Sequence, residues 1–473
     1  MAILRDDPQA DLILNGHPWR VAWEMSWPAV AAIMLFGLNA MLDAVYIGRL
    51  LGQQALAGAV MAYPLTQITL GLGSLAGIGG GVALSIAIGR GDQDTLRRLP
   101  GTALTITAAL ALIYGLLGGL FSETLVRGMG ARDALVPIAA DYLRASAIGS
   151  IGALAGMTLN MLLRGEGRMK LAALYMGIGL LVNMVLTPLL IVVFDMGVAG
   201  AAWATNLGNA VGAWLVWRRY ARGQASYPVD AYYLGLPRAL TRRIVRLGTP
   251  AMIMSSMGVV QAIVVFNVLS RVGTESDIAF YGAAWRIMIF MLTPLFGMMR
   301  AFQPVAGFNY GAGQWQRVRT CYWTFVQAGA LLIIPIWALM ALYPGQTLGL
   351  MLPGAVFSEH DLTLFRILIL PLPLLPLVFT TLALLPAIEQ PGKATTVSIS
   401  RQLLLYVPVM LLLPPVIGVP GIYYGSMAIE LVCATWLAAI VMILFRKNLP
   451  TGARDNAQAL VSEVERPQAA RKL

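Results

Sequence analysis

A polytopic, all-α membrane protein is the fold class this sequence predicts, with about twelve transmembrane helices in two six-helix halves. Three observations carry that prediction. Hydrophobic residues make up 58% of the chain and charged residues 12%, about half the roughly 25% charged residues of a soluble protein. Apolar runs of about 20 residues recur along the chain, the length a helix rising 1.5 Å per residue needs to cross a bilayer core. The two halves also repeat each other at an offset of 222 residues.

Taken in order, a polar segment (residues 1–20) carries Asp6, Asp7 and Asp11 and lacks the basic start and cleavage pattern of a signal peptide, so the first helix is expected to be retained. Apolar runs follow at about 21–50, 55–88, 103–121, 136–163, 171–193 and 198–217, and resume at about 244–269, 278–308, 322–342, 362–388, 397–413 and 422–445. This divides the chain into an N-lobe over 21–217, a basic linker over 218–243, a C-lobe over 244–446 and a polar, disordered tail over 447–473. An even number of spans puts both termini on one side. With the termini in the cytoplasm, cytoplasmic segments hold 24 of the 33 Lys and Arg residues, and the outer loops hold only Arg49, Arg127, Arg132 and Arg271. The positive-inside rule therefore predicts a multi-pass protein of the cell inner membrane with both ends cytoplasmic. The linker (R-R-Y-A-R-G from Arg218, R-A-L-T-R-R-I-V-R from Arg238) reads as a bridge between bundles, with anionic headgroups as a second use of its charge.

At the 222-residue offset Pro28 pairs with Pro250, Asn39 with Gln261, Arg49 with Arg271, and Arg97 with Arg319. Gly89-Arg90-Gly91 pairs with Gly311-Ala312-Gly313, and G-V-A-G at Gly197 answers G-V-P-G at Gly418 one residue out of register. Six spans per half make these parallel repeats, related by a pseudo-two-fold along the membrane normal. Transporters built from repeats place the substrate path between the halves near the midplane.

The chemistry missing from the chain narrows its class. Cys321 and Cys433 lie in different runs without metal-type spacing, and the two histidines, His17 and His360, fall outside the spans. There is no Walker-type glycine loop, no H-E-x-x-H and no G-x-S-x-G, so ATP-driven transport and hydrolysis have no visible machinery. No enzyme activity and no cofactor is expected. The net charge of +11 flanks the apolar runs, so it marks topology rather than a nucleic-acid surface.

Polar residues inside the spans are the candidate site. Asp43 places a carboxyl group where a charge is costly unless paired, solvated or protonated, which makes it a functional candidate by default; the competing reading leaves it at the outer mouth beside Arg49. Its repeat partner is Val265, so the second half does not copy it. Pro28, Asn39 and Tyr46 on the same helix are expected as bend and lining residues. Asn183 and Thr187 stand four apart on one helix face, with Thr205 in the next span. With Asp43 they offer one carboxylate and several neutral oxygens, suited to a proton or sodium; polar glue between helices explains them equally well. Arg286 and Glu430 sit at similar depths of about 12–16 Å, which suggests an internal ion pair. The 24 methionines suit an adaptable apolar pocket, though ordinary core packing accounts for them as well.

D-A-V-Y-I-G-R-L-L-G-Q-Q-A-L-A-G from Asp43, R-G-E-G-R-M-K from Arg164, N-M-V-L-T-P from Asn183, M-G-V-A-G-A-A-W-A-T from Met196 and Q-P-V-A-G-F-N-Y-G-A-G from Gln303 resemble the multidrug and toxic compound extrusion (MATE) family, in its DinF-like branch. The resemblance implies two lobes in a V shape and export of amphipathic, often cationic small organic compounds in exchange for protons or sodium. By position it implies Asp43 as the coupling carboxylate, Pro28 as the bend in the first helix, and Asn183 and Thr205 as polar neighbours. Thr187 departs from the family's common N-x-x-x-D-P, which has a second carboxylate there; its loss moves the expectation towards H+ and away from Na+. A monomer is expected. The alternatives are a lipid-linked oligosaccharide or precursor flippase of the same superfamily, using Arg286, Arg300 and Arg366 around a cationic cavity, and a membrane scaffold without transport.

Overall fold

The computed structural model describes residues 7–131 and 134–447. Arg132 and the expected disordered tail from residue 448 lie outside the described residues. A short helix α1 (Pro8–Asn15) precedes the long α2 (Pro18–Leu50). The N-lobe continues with α3 (Gln53–Thr66), α4 (Ile68–Arg90), α5 (Gln93–Leu120), α6 (Ser122–Gly128), α7 (Leu135–Ile148), α8 (Ser150–Gly165), α9 (Met169–Pro188) and α10 (Gly197–Ala221). The C-lobe is α11 (Arg238–Val272), α12 (Glu275–Gly311), α13 (Trp315–Leu342), α14 (Pro344–Gly349), α15 (Glu359–Ile369), α16 (Leu375–Ala387), α17 (Pro391–Ile399), α18 (Val407–Ile417) and α19 (Pro420–Lys447). Two π-helical stretches interrupt this pattern, Leu189–Val193 after α9 and Ser400–Tyr406 between α17 and α18. Inserted turns of this kind are frequent at functional sites.

Among the described residues ten helices are long and apolar enough to span a bilayer, and eleven if α7 and α8, bent by 49° at Gly149, form one span. The other expected span is α10, 25 residues long. Its alanines, glycines, Thr205, Asn206 and Asn209 make it less apolar, and it packs on α7, α8 and α9. Local chemistry sets the helix ends. Asp92 accepts from Thr95 N–H at 3.1 Å to start α5, and reciprocal capping boxes, Thr274 with Asp277 and Ser358 with Asp361, start α12 and α15. Gly91, at φ 70°, ends α4 in the left-handed conformation open to glycine.

Within the protein, α4 is the central strut. It packs on α5 and α8 of its own lobe and on α11 and α12 of the other, and nearly every residue from Gly71 to Gly89 is buried. Small residues make this possible. A Cβ on Gly79 would strike the carbonyl of Ile244, and one on Gly248 would strike that of Leu75. The same holds for Gly89 against Phe308 and Gly311 against Ile86. The N-lobe strut and the C-lobe helices therefore meet backbone to backbone, as small residues allow in membrane helix pairs.

The repeat is visible in the packing. Pro28 and Pro250 each lie inside an unbroken helix, of 33 and 35 residues, where each removes one backbone hydrogen bond. At the end of the strut, Arg90 pairs with Glu389, which also holds Arg243 at 2.8 Å. On the same side α1 reaches both lobes: Asp7 accepts from Arg168 at 2.9 Å, and the Ile13 carbonyl accepts from Arg317 Nε at 3.1 Å. The segment after α10 is tied down by Glu166, which accepts from Arg219 at 3.0 Å and from the Ser226 N–H and hydroxyl at 2.9 and 2.8 Å. Burial raises the Glu166 pKa, against the opposing pull of Arg219 and Ser226.

Gly248→Val should lower the unfolding temperature of the purified protein, since overpacking costs about 1–3 kcal/mol and a backbone neighbour has little room to yield. Gly258→Ala, on the same helix with open space around its new methyl, should be neutral or stabilising by up to about 1 kcal/mol. Equal thermal shifts for the two variants would contradict a close-packed seam.

Candidate functional site

Four of the residues singled out in the sequence converge on Asp43. Asn39 stands one turn before it on α2 and donates from Nδ2 to Asp43 Oδ2 at 3.4 Å. Thr187, at the end of α9, lies 3.3 Å from Oδ1, and Thr205, in the middle of α10, lies 3.4 Å from Oδ2. The Asn183 amide satisfies its neighbours when its nitrogen faces the carboxylate; it then donates to Asp43 Oδ1 at 3.2 Å and to Asn39 Oδ1 at 3.0 Å, and its oxygen accepts from the Thr205 backbone N–H at 2.9 Å. Asn39, Asn183 and Thr187 are buried, whereas Asp43 and Thr205 are half-buried.

The convergence depends on a close approach of α9 and α10. A Cβ on Gly179 would lie 2.6 Å from the Gly208 carbonyl, and one on Gly208 would lie 2.5 Å from the Gly179 carbonyl and 2.9 Å from Asn183 Cβ. These two glycines let the helix backbones touch, which brings Asn183 against Thr205. The π-helical stretch begins directly after Thr187-Pro188.

Each threonine hydroxyl has one proton to give. Thr187 lies 2.9 Å from the Asn183 carbonyl and Thr205 3.1 Å from the Ala201 carbonyl, both one turn back in their own helices. Their distances to Asp43 are longer, and long for O–H···O bonds, whose usual length is about 2.7–2.8 Å. Hydroxyls that donate backwards leave their lone pairs facing Asp43. That arrangement suits a positive partner on the carboxylate, either a proton or a small hard cation. Among the described residues no group of three or more His, Cys, Asp or Glu side chains forms a metal site, so Asp43 is the one charged ligand such an ion would find here.

Of the other expected site residues, Pro28 is buried more than a dozen residues before Asp43 on α2, and Tyr46 is half-buried without a hydrogen bond to the cluster. The expected Arg286–Glu430 pair does not form. Glu430 pairs with Arg401 in the π-helical stretch before α18, whereas Arg286 is exposed on α12. Depth along a helix was shared, but the helix faces differ. Arg286, Arg300 and Arg366 also do not gather around one cavity: Arg366 donates to the Ala341 carbonyl at 3.0 Å, and Arg300 points to Met161 at 3.5 Å.

Two further residues were missed by sequence reasoning. Tyr142 on α7 lies within electrostatic range of Asp43. Gln402 donates to Gln261 at 2.9 Å and to the Met257 carbonyl at 2.8 Å. Gln261 is the repeat partner of Asn39, so α11, which has Val265 in place of the carboxylate, shares a neutral amide pair with the π-helical stretch that carries Gln402. The pairing of two amides at the 222-residue offset was the available signal for Gln261; nothing local marked Gln402 or Tyr142.

Two repeated helical lobes, the first of which encloses a half-buried carboxylate, define a multi-pass membrane protein. The family model MatE matches residues 28–189 and 250–412, one match in each lobe, and the chain belongs to that family. The multidrug export protein MepA of Staphylococcus aureus (strain MSSA476) is 22% identical over 436 residues, covering 91% of this chain and 95% of MepA. A protein named FAD transporter, from Shewanella oneidensis, is 27% identical over 440 residues, covering 87% and 91%. A crystal structure of MATE in the bent conformation matches with a TM-score of 0.86 at 23% identity, over 93% of this chain and 99% of that one. An outward-facing multidrug resistance MATE transporter of the MOP superfamily matches with a TM-score of 0.83 at 23% identity, over the same shares.

Arg401→Gln should destabilise the purified protein by about 1–3 kcal/mol, because it strands the partly buried Glu430. Arg286→Gln should stay within about 0.5 kcal/mol, and Arg401→Gln combined with Glu430→Gln should recover part of the loss. Thermal unfolding of the three variants distinguishes this pairing from the one expected by depth.

Proposed function

We propose that the protein is a secondary antiporter of the cell inner membrane, with both termini cytoplasmic, that exports small amphipathic organic compounds in exchange for protons bound at Asp43. The observation that carries this reading is the single carboxylate ringed by neutral donors, with both threonine hydroxyls within reach of carbonyls in their own helices. Protonating Asp43 lets its new O–H donate to a hydroxyl lone pair, so each threonine keeps its bond along the helix. Deprotonation draws the two hydroxyls and the Asn183 amide towards the carboxylate and loads α2, α9 and α10 differently. Proton and substrate need only favour different states of one two-state element to be coupled. Support for small organic substrates comes from the match to MepA over nearly the whole chain.

Asp43→Asn should abolish efflux driven by a proton gradient in proteoliposomes while leaving yield and unfolding temperature near wild type; coupled transport retained in that variant would refute the assignment. Thr187→Asp restores a second carboxylate within reach of Asp43 and should confer sodium-stimulated transport that the wild type lacks. Sodium stimulation already present in the wild type would move the coupling ion from H+ to Na+.

A second reading concerns substrate charge. Arg164 is almost fully buried; its Nε donates to Asn160 Oδ1 at 2.9 Å, and its Nη1 has no hydrogen-bond partner. Arg300, from the other lobe, lies in electrostatic range of it. Neither has a carboxylate within ion-pair distance among the described residues. Two uncompensated cations at the lobe interface favour an anionic or zwitterionic substrate, in keeping with the match to the FAD transporter. Uptake competition in the same proteoliposomes between a cationic dye and FAD decides between the two charge classes.

A further inference from the structure

The cavity at the start of α11 is not used by the coupling site or by the substrate readings above. It measures about 310 Å³ and is lined by Ala239, Arg242, Arg243, Arg246, Glu389 and Pro391, with Leu247 behind. Arg242 and Arg246 are four residues apart on one face of α11, and both are exposed. Neither has an acidic partner within ion-pair distance among the described residues. Glu389, the cavity's one carboxylate, is shared between Arg243 and Arg90 of the other lobe. Four guanidinium groups thus surround one carboxylate.

Two features show donors without acceptors. Arg243 Nη2 lies 2.8 Å from Glu389 Oε1 but makes no hydrogen bond, and Arg243 Nε is buried without a partner. Both helices that open on the cavity also begin without a side-chain cap: the N-cap residues are Pro237 for α11 and Gln390 for α17, so the first-turn backbone N–H groups, those of residues other than Pro391, are left to solvent or a ligand. Their positive dipole ends add to the arginine charge. Leu247 and Pro391 place the cavity where the arginines give way to the apolar part of α11. Three guanidinium groups and two uncapped helix starts match the chemistry of a phosphate group, which offers several acceptor oxygens to forked donors.

We infer that this cavity is a phosphate-binding site on the basic face of the protein, taking the phosphate of an anionic phospholipid headgroup or a free phosphate. An anion seated there takes up the unpartnered donors of Arg243 and competes with Glu389 for it, leaving Glu389 to Arg90. The site therefore lies on the ion-pair relay that joins the two lobes.

The test is thermal unfolding of the full-length, detergent-purified protein titrated separately with short-chain phosphatidylglycerol, short-chain phosphatidylcholine and inorganic phosphate. Phosphatidylglycerol or inorganic phosphate should raise the wild-type midpoint. The concentration for half the shift should rise at least fivefold in Arg242→Gln/Arg246→Gln, and should not change in the control Arg218→Gln/Arg222→Gln, which removes the same charge elsewhere on the basic segment. A response to inorganic phosphate assigns the free anion; a response to phosphatidylglycerol alone assigns the lipid. If the double Gln variant fails to fold, Arg242→Lys/Arg246→Lys keeps the charge without the fork and should weaken binding by a smaller factor. Equal responses in the pocket and control variants, or equal responses to phosphatidylglycerol and phosphatidylcholine, would overturn the site.

Discussion

The architecture rests on how closely α4 approaches the opposite lobe. Within a membrane, apolar side chains gain little by leaving lipid for protein, so helix association depends on close packing and on polar contacts. Gly79, Gly89, Gly248 and Gly311 remove the side chains that would hold the helices apart. The resulting seam fixes the two lobes against each other and carries Arg90 to within reach of Glu389. A helix as rich in glycine as α4 has poor intrinsic stability; burial on every side compensates, and the same burial makes it the element both lobes share.

The cluster around Asp43 repeats that solution on a smaller scale. Gly179 and Gly208 let α9 and α10 touch, and only at that distance do Asn183 and Thr205 share hydrogen bonds around a residue of α2. The two lobes share a backbone plan but not its chemistry. Pro28 and Pro250 occupy matching places in their helices, and Asn39 and Gln261 are both buried amides. One residue face later the N-lobe has Asp43 and the C-lobe has the buried Val265. Asp43 therefore stands in one half of a pseudo-symmetric body without a counterpart at the matching place in the other.

Membrane character, the duplicated plan, the candidate helices and the residues Asp43, Asn183, Thr187 and Thr205 were all legible in the sequence. Each rests on a local or periodic property: run length, offset, and an acid or a spaced pair of polar groups in an apolar run. Even α10, less apolar than the other spans, could be placed from its position between runs and from the motif it carries.

What needed the tertiary structure was the choice of partners. Arg286 and Arg401 were equally available to Glu430 by composition, and depth favoured Arg286, yet the π-helical stretch before α18 turns Arg401 towards Glu430. Gln402 and Tyr142 gave no local sign of their contacts, and the arginines of α11 gave no sign that they share a cavity with the start of α17. Hydropathy and periodicity report how a segment relates to lipid or water. They do not report the rotation of one helix against another, which close packing alone decides. The sequence by itself thus determined a duplicated membrane bundle with one costly carboxylate, and the packing of α2 against α9 and α10 decided which oxygens and amides surround it.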